Sequence, residues 1–260
     1  MTSIRHSIVA LSIFCLTGMV SCGGEDDADD IEVDEDPTEE ITNDVSILVD
    51  KFTNKSALTI VVGENNITIT TKDQPDHKSM YYESGNSLYE AYDEPNNPEF
   101  KKNPHNITTQ NIVMKIPRFP EKASTHKATS MGPIGIAVNS VALFNQAAAP
   151  GDDILDELNT FDQYEGHPQQ QGMYHYHTEP VYITQTEGDD AFLGFLLDGF
   201  PVYGPFENGK RLSNDDLDDY HGHTTATADF PDGIYHYHAT DELPWINGDG
   251  YYGTPGTITF

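Results

Sequence analysis

The second half of the chain contains two pairs of short apolar runs, and a two-residue turn separates the members of each pair. Residues 135–145 read GIAVNSVALFN, and residues 194–204 read GFLLDGFPVYG. Apolar runs joined by Asp-Gly are typical of β-hairpins, and Asn-Ser is a weaker signal of the same kind. We therefore predict one hairpin in each segment, with turns at Asn139-Ser140 and Asp198-Gly199.

Each predicted hairpin is followed by the same two motifs in the same order. The matched motifs are FDQYEGH at 161–167 with LDDYHGH at 217–223, and GMYHYH at 172–177 with GIYHYH at 233–238. The copies lie 56 to 61 residues apart throughout, which indicates an internal duplication. We predict two repeat units, at about 132–180 and 191–245.

The residues before the repeats predict further strands. Segments 57–62 and 66–71, around the turn Gly63-Glu64-Asn65, predict a hairpin, and 106–116 predicts another strand. The one predicted helix is short, at 152–158. Two duplicated units can pack about a pseudo-twofold axis into a closed or sandwiched β core. The predicted fold is therefore mainly β: a single barrel-like or sandwich-like domain with flanking N-terminal strands.

The start of the chain is predicted to lie outside this fold. Residues 8–20 form a 13-residue apolar stretch, which is too short to span a bilayer as a helix. Small residues before Cys22 predict a signal peptide at 1–21 and a lipid-modified cysteine, with a plain secretory signal as the alternative. Residues 22–44 are predicted to form an acidic, disordered tether to a β domain at 45–260. The predicted location is the bacterial outer membrane, on its periplasmic face or at the cell surface.

Charge and cysteine content exclude several classes of function. The 260 residues include 43 acidic and 13 basic side chains, and the net charge is −30. Such a polyanion repels phosphate, so general binding to nucleic acid is excluded. Cys15 lies in the predicted signal peptide and Cys22 is the predicted lipid site. The mature domain therefore has no thiolate for a cysteine-type zinc site.

The histidines of the repeated motifs are the main candidates for chemistry. Alternate residues of a strand share a face, so each Tyr-His-Tyr-His motif presents two imidazoles on one side and two tyrosines on the other. A Gly-His pair in each unit offers a third imidazole, and three imidazoles with an open position are typical of catalytic zinc sites. The predicted metal ligands are His167, His175, His177, His221, His223, His236 and His238.

The predicted cofactor is a divalent transition metal, with copper or zinc favoured. Each unit could build its own three-histidine site, or the two H-x-H strands could share one site across the pseudo-axis. Asp162 and Asp218 are the predicted acceptors of the ring N–H groups that do not bind metal. The predicted function is metal capture, or metal-dependent redox or hydrolytic chemistry, at the cell envelope. Whether the protein is an enzyme stays undecided at this point.

A second interpretation makes the histidines structural. Each imidazole would then bond to a carbonyl or carboxylate, and the protein would be a surface module for a glycan or a protein partner. Trp245 and Tyr251-Tyr252 could form a platform for sugar, although core packing is favoured. His77 and His105 are further ligand candidates, with exposed loop positions favoured. A metal-free hydrolase lacks support because the sequence contains no nucleophile motif.

The two Tyr-His-Tyr-His motifs, with DGFPVYGP at 198–205 between them, resemble the YHYH protein family. The resemblance extends over about 67–245 and includes GPIGIAVN at 132–139. It implies membership of a family defined by its motif and implies no particular activity. The chain departs from the family at Tyr164 and Tyr220, where members often carry a cysteine. A disulfide or thiolate role for that pair is therefore absent here.

Overall fold

The computed structural model describes residues 43–260. The predicted signal peptide, Cys22 and most of the predicted tether lie outside the described residues. The last two residues of the predicted tether are described, and Asp44 caps a 3₁₀ helix at Val45–Lys51. The Asp44 carboxylate also pairs with Arg118 at 2.5 Å. Asp44 is therefore attached to the folded domain.

Short strands dominate the described part of the chain. In chain order they are β1 (Leu58–Val62), β2 (Asn66–Thr71), β3 (Ile112–Pro117), β4 (Lys122–Lys127), β5 (Pro133–Ala137), β6 (Ala142–Phe144), β7 (Gly166–Pro168), β8 (Tyr174–Tyr176), β9 (Phe192–Leu196), β10 (Pro201–Tyr203), β11 (Phe206–Glu207), β12 (Lys210–Arg211), β13 (Gly222–Thr225), β14 (Ile234–His238), β15 (Tyr251–Gly253) and β16 (Thr257–Thr259). The helices are α1 (Ile154–Glu157) and α2 (Val181–Glu187), with short 3₁₀ helices at Leu158–Thr160 and Asn214–Asp216. Within residues 43–260, no helix has the length and apolar character needed to cross a membrane.

The largest sheet carries the duplication in its strand order, which is β13-β14-β10-β9-β5-β6-β8-β7. Outward from the centre, the first repeat unit contributes β5, β6, β8 and β7. The second unit contributes β9, β10, β14 and β13 in the corresponding order. The central strands β5 and β9 pair antiparallel, with Ile136 opposite Phe195. A pseudo-twofold axis therefore passes between these two strands. Each H-x-H strand lies between a hairpin strand and the Gly-His strand of its own half.

A second sheet has the order β1-β2-β3-β16 and contributes its inner face to the core. Burial alternates along β2 and β3, as expected for a sheet with one solvated face. Ile69 and Met114 of this sheet share one hydrophobic core with Ile136 and Phe195 of the larger sheet. Smaller sheets pair β11 with β12 and β4 with β15. The prediction of a mainly β, sandwich-like fold is confirmed, and the sheets of residues 43–260 form no closed barrel.

The helices and one strand differ from the predictions in detail. The predicted N-terminal hairpin is present, with Leu58 opposite Thr71. The strand predicted at 106–116 begins only at Ile112, because the residues before it make scattered bonds to loops. Helix α2 was not predicted, since its sequence VYITQTE is rich in residues that favour strands. Its Ile183 and Thr184 are buried, so tertiary packing overrides local preference there.

Candidate metal centres

Strand alternation and strand pairing bring three imidazoles together in the first repeat unit. His175 in β8 and His177 directly after it lie on the same face because they are two residues apart. In the antiparallel pair of β7 and β8, His167 lies opposite His175, and residues directly opposite share a face. The Gly-His and Tyr-His-Tyr-His motifs therefore build one three-histidine cluster.

The second unit repeats this construction. His236 and His238 lie on one face of β14, and His223 of β13 lies opposite His236. The two H-x-H strands are five positions apart in the sheet, which corresponds to about 24 Å at the usual strand spacing. Of the two arrangements that the sequence permits, the structure therefore has one cluster in each unit.

The tyrosines on the opposite face anchor the H-x-H strands. Tyr174 donates a hydrogen bond to Asp162 at 2.9 Å, and Tyr235 donates to Asp218 at 2.9 Å. The prediction that these aspartates accept histidine N–H groups is therefore wrong. The aspartates lie behind the strand, on the face to which alternation directs the tyrosines.

The glycine before the third histidine of each cluster leaves room for the anchoring tyrosine. A Cβ atom on Gly166 would lie 2.4 Å from the Tyr174 ring, and one on Gly222 would lie 2.5 Å from the Tyr235 hydroxyl. Non-bonded heavy atoms cannot lie so close together, so a larger residue at either glycine would displace the tyrosine or the strand. The tyrosine of the neighbouring Tyr-His-Tyr-His strand thus requires a glycine before the histidine in each Gly-His pair.

The ligand atoms of the first cluster form a compact cage. Nε2 of His175 lies 3.1 Å from Nε2 of His167 and 3.0 Å from Nε2 of His177. Oε2 of Glu157, at the end of α1, lies 3.4 Å from Nε2 of His167 and 3.5 Å from Nε2 of His177. A tetrahedral zinc ion with ligands at about 2.0–2.1 Å separates those ligands by about 3.3–3.4 Å. The cage has the size that such an ion needs.

The second cluster has the same composition. Oε1 of Glu207, in β11, lies 3.4 Å from Nε2 of His223 and 3.5 Å from Nε2 of His236. With His238 included, all four ligand atoms lie within 4.8 Å of one another. The three Nε2 atoms are buried and have no hydrogen-bond partner within the described chain. Buried polar atoms without partners are rare, and here three of them converge.

Backbone carbonyls determine which ring nitrogen carries the hydrogen in four of these imidazoles. The acceptors of the Nδ1–H groups are Met173 O for His175 (3.1 Å), Asn145 O for His177 (2.5 Å), Ile234 O for His236 (2.9 Å) and Gly204 O for His238 (2.7 Å). A carbonyl only accepts, so each neutral ring presents a lone pair at Nε2. Lone pairs that converge cannot bond to one another. The structural interpretation therefore accounts for the Nδ1 atoms of these four histidines but not for their Nε2 atoms.

Burial disfavours the charged form of four imidazoles in the clusters. Desolvation lowers the pKa of His167, His175 and His236, and it lowers the pKa of His238 to about 3. Neutral imidazoles around an ionised carboxylate form a site that attracts a cation.

Each cluster adjoins a cleft that opens to solvent. The first cleft has a volume of about 1110 Å³, and its wall includes the three histidines of the first cluster together with Glu157. The second has a volume of about 660 Å³, and its wall includes His236, His238 and Glu207. A small ion can therefore reach both clusters.

Six of the seven predicted ligands lie in the two clusters, and His221 lies outside them. Nε2 of His221 hydrogen bonds with the Thr240 hydroxyl at 3.0 Å. His77 is buried rather than exposed, and Tyr176 donates to its Nε2 at 2.7 Å. His105 is half-buried and lies in the wall of the first cleft.

The glutamates of the clusters were not predicted from the sequence. Glu157 lies in a helix and Glu207 in a strand, so the two occupy different elements of their units and comparison of the repeats does not pair them. Each lies between the hairpin of its unit and the FDQYEGH or LDDYHGH motif that follows. The only signal in the sequence is that each unit has acidic residues in this segment, and there are several to choose from.

The aromatic residues near the C-terminus do not form an open platform. Trp245 and Tyr251 are 5% and 4% exposed and belong to the core, as the sequence favoured. Tyr252 is half-buried and stacks on Tyr235 with ring centroids 3.5 Å apart. The surface-module interpretation therefore gains no stacking site from these residues.

The comparisons with known proteins give one match. The family model described as YHYH protein matches residues 113–213 and 206–250. These segments cover more than half of the chain and contain the ligands of both clusters. No curated protein and no solved structure matches the chain.

Proposed function

The chain belongs to the YHYH protein family, and from this premise we propose that it is a metal-binding protein with one three-histidine, one-glutamate site in each repeat unit. The observation that supports the proposal most strongly is the convergence of three buried Nε2 atoms in the second cluster, which have no hydrogen-bond partner in the described chain. The same three-histidine, one-glutamate grouping recurs in the first cluster. A metal cation is the ligand that satisfies several such lone pairs at once.

Zinc is the first choice of metal, and copper is the second. Imidazole and carboxylate donors without thiolate suit both ions. The separations of 3.0 to 3.5 Å between ligand atoms of the first cluster are close to those of a tetrahedral site. Zinc adopts that geometry without a competing preference, whereas copper(II) favours tetragonal sites.

The number of protein ligands favours metal capture over catalysis. A site with four protein ligands around a tetrahedral ion is closed, whereas a catalytic zinc site keeps one position for water or substrate. Capture or buffering of metal at the cell envelope, by a protein anchored through a lipid on Cys22, is therefore the function we propose. The acidic character of the chain, with a net charge of −30, raises the local concentration of cations.

Elemental analysis of the full chain, purified without a histidine tag and loaded with Zn²⁺, tests the proposal. Two ions per chain are expected. The His175→Ala/His177→Ala double variant should lose one ion, and the His236→Ala/His238→Ala double variant should lose the other. His126→Ala is the matched control, because His126 lies outside both clusters, and it should keep two ions. A folded wild type that takes up no metal on titration with zinc or copper would contradict the proposal.

A further inference from the structure

The two clusters differ in how the third histidine is held. In the first cluster, Nδ1 of His167 lies 2.6 Å from the Thr160 hydroxyl oxygen, so all three rings have an Nδ1 partner. In the second cluster, His236 and His238 have such partners. Among residues 43–260 no hydrogen bond to Nδ1 of His223 is formed. His223 is therefore the one imidazole of the two clusters whose Nδ1 atom has no partner among residues 43–260.

The Thr160 hydroxyl fixes the tautomer of His167. The hydroxyl donates its single hydrogen to the backbone oxygen of Glu157 at 2.8 Å. It can then only accept from His167, so the hydrogen of that ring is on Nδ1 and the lone pair of Nε2 faces the cage. The Thr160 hydroxyl thereby hydrogen bonds to two residues of the first cluster, Glu157 and His167. Its counterpart in the repeat, Asp216, is the last residue of a 3₁₀ helix and accepts a hydrogen bond from the N-cap residue Ser213 instead.

His167 of the first cluster is also more buried and more closely packed than His223 of the second. The side chain of His167 is 4% exposed, whereas that of His223 is 20% exposed. Phe161 packs edge-on against His167 with ring centroids 4.8 Å apart, and the corresponding residue of the second unit is Leu217. Phe144 stacks on His175 at 3.9 Å. The rings of the first cluster are thus held before any ion arrives.

We propose that the two sites are unequal, with a tightly held ion in the first unit and an exchangeable ion in the second, and that Thr160 is the positioning residue responsible for much of the difference. This inference rests on the proposed function. A preorganised site loses little freedom when it binds, so more of its interaction energy appears as affinity. The partially exposed ring of His223, which has no Nδ1 partner in the described chain, must be ordered when the ion binds.

Competition titration of the full chain with Zn²⁺ against a chromophoric chelator measures each site separately. The His236→Ala/His238→Ala variant retains the first site, and the His175→Ala/His177→Ala variant retains the second. The first site should bind at least about tenfold more tightly and release zinc to excess chelator more slowly. Equal affinities in the two variants would overturn the inference and leave the proposed function intact. Failure of both variants and of the wild type to bind would overturn the proposed function itself.

The Thr160→Val substitution tests the positioning role within the first-site variant. Loss of an outer partner of a ligating histidine costs about 10- to 100-fold in metal affinity, and Thr160→Ser should restore it. Ring ¹⁵N chemical shifts of His167 should show the Nδ1–H tautomer in the metal-free protein and a mixture of tautomers after Thr160→Val.

Thr240→Val is the matched control, since it removes a buried hydroxyl beside His221, outside both clusters. It should leave the zinc affinity of the first site unchanged. A loss of affinity in Thr240→Val equal to that in Thr160→Val would show that the effect is general destabilisation. Unchanged affinity in a folded Thr160→Val protein would also overturn the positioning role.

Discussion

At the residue scale, the candidate sites depend on which nitrogen of each imidazole carries the hydrogen. Carbonyl groups at Asn145 and Gly204 occupy Nδ1 of His177 and His238. This arrangement repeats in both units, and in both it directs the Nε2 lone pair into the cluster. A purely structural histidine would use both nitrogens for hydrogen bonds.

The carboxylate of each cluster should contribute to its own site alone. We expect Glu157→Gln to weaken zinc binding at the first site by about tenfold or more, because a neutral amide replaces an ionised ligand. Glu207→Gln should act in the same way on the second site only. Titration of each variant with Zn²⁺ measures the effect, and an equal loss at both sites in either variant would contradict the assignment of one glutamate to each cluster.

His77 should make folding stability depend on pH. Burial lowers its pKa from 6.5 to about 4, so the unfolded chain binds the proton more readily than the folded chain between these values. Stability is therefore complete above pH 6.5 and falls as the pH decreases toward 4. Between pH 7 and pH 5 the loss is about 2 kcal/mol for this one group, at about 1.4 kcal/mol per pKa unit.

Urea unfolding of the metal-free protein at pH 7 and pH 5 measures this loss. The His77→Gln variant should lose less stability over the same interval than the wild type, since the amide can still accept from Tyr176 but does not titrate. Equal losses in the two proteins would show that His77 does not titrate as its burial implies.

At the element scale, each site is a property of two paired strands. The register that places His167 opposite His175 is possible because Gly166 lets the Tyr174 ring pass beside the neighbouring strand. The tyrosine hydroxyl then reaches Asp162. The Gly-His and Tyr-His-Tyr-His motifs therefore act as one unit, although they are separate in sequence.

The Gly166→Ala substitution should disturb the first site and spare the second. The added methyl group would lie 2.4 Å from the Tyr174 ring, so the strands must separate and His167 must move. We expect the first ion to be lost or bound at least about tenfold more weakly. Gly85→Ala is the control, because a Cβ atom there meets nothing within 4 Å. Normal metal content in a folded Gly166→Ala protein would contradict the steric account.

Strand-scale patterns explain how much of this could be predicted from the sequence. The hairpins, the duplication and the six candidate ligands that lie in the clusters follow from periodicity, turn residues and repetition, which the sequence carries directly. The partners of the site are not local: Glu157 comes from a helix and Glu207 from a strand, and only the folded loops bring them to the clusters. His221 resembles a ligand in sequence, but the turn that contains it directs its ring toward Thr240.

At the scale of the whole molecule, duplication gives one chain two similar sites on one sheet. The pseudo-twofold axis between β5 and β9 places them in opposite halves. Since the two clusters found among residues 43–260 share no residue, each candidate site can change without disrupting the other. The differences around Thr160 and His223 are the kind of divergence that such independence permits.

The predicted lipid anchor concerns the whole molecule as well. Replacement of Cys22 by serine should abolish labelling of the protein by a radioactive fatty acid and move it from the membrane fraction to the soluble fraction, because the acyl chains provide stable anchoring. Zinc content should not change, since the ligands belong to the β domain. Retention in the membrane fraction without lipid labelling would contradict the prediction.

Anomalous diffraction from crystals of the zinc-loaded protein tests the central claim most directly. The account predicts two peaks per chain. One should lie about 2.0–2.1 Å from Nε2 of His167, His175 and His177 and at a similar distance from Glu157. The other should lie correspondingly among His223, His236, His238 and Glu207. A single peak shared between the repeat units, or fully loaded crystals with no peak at either cluster, would contradict it.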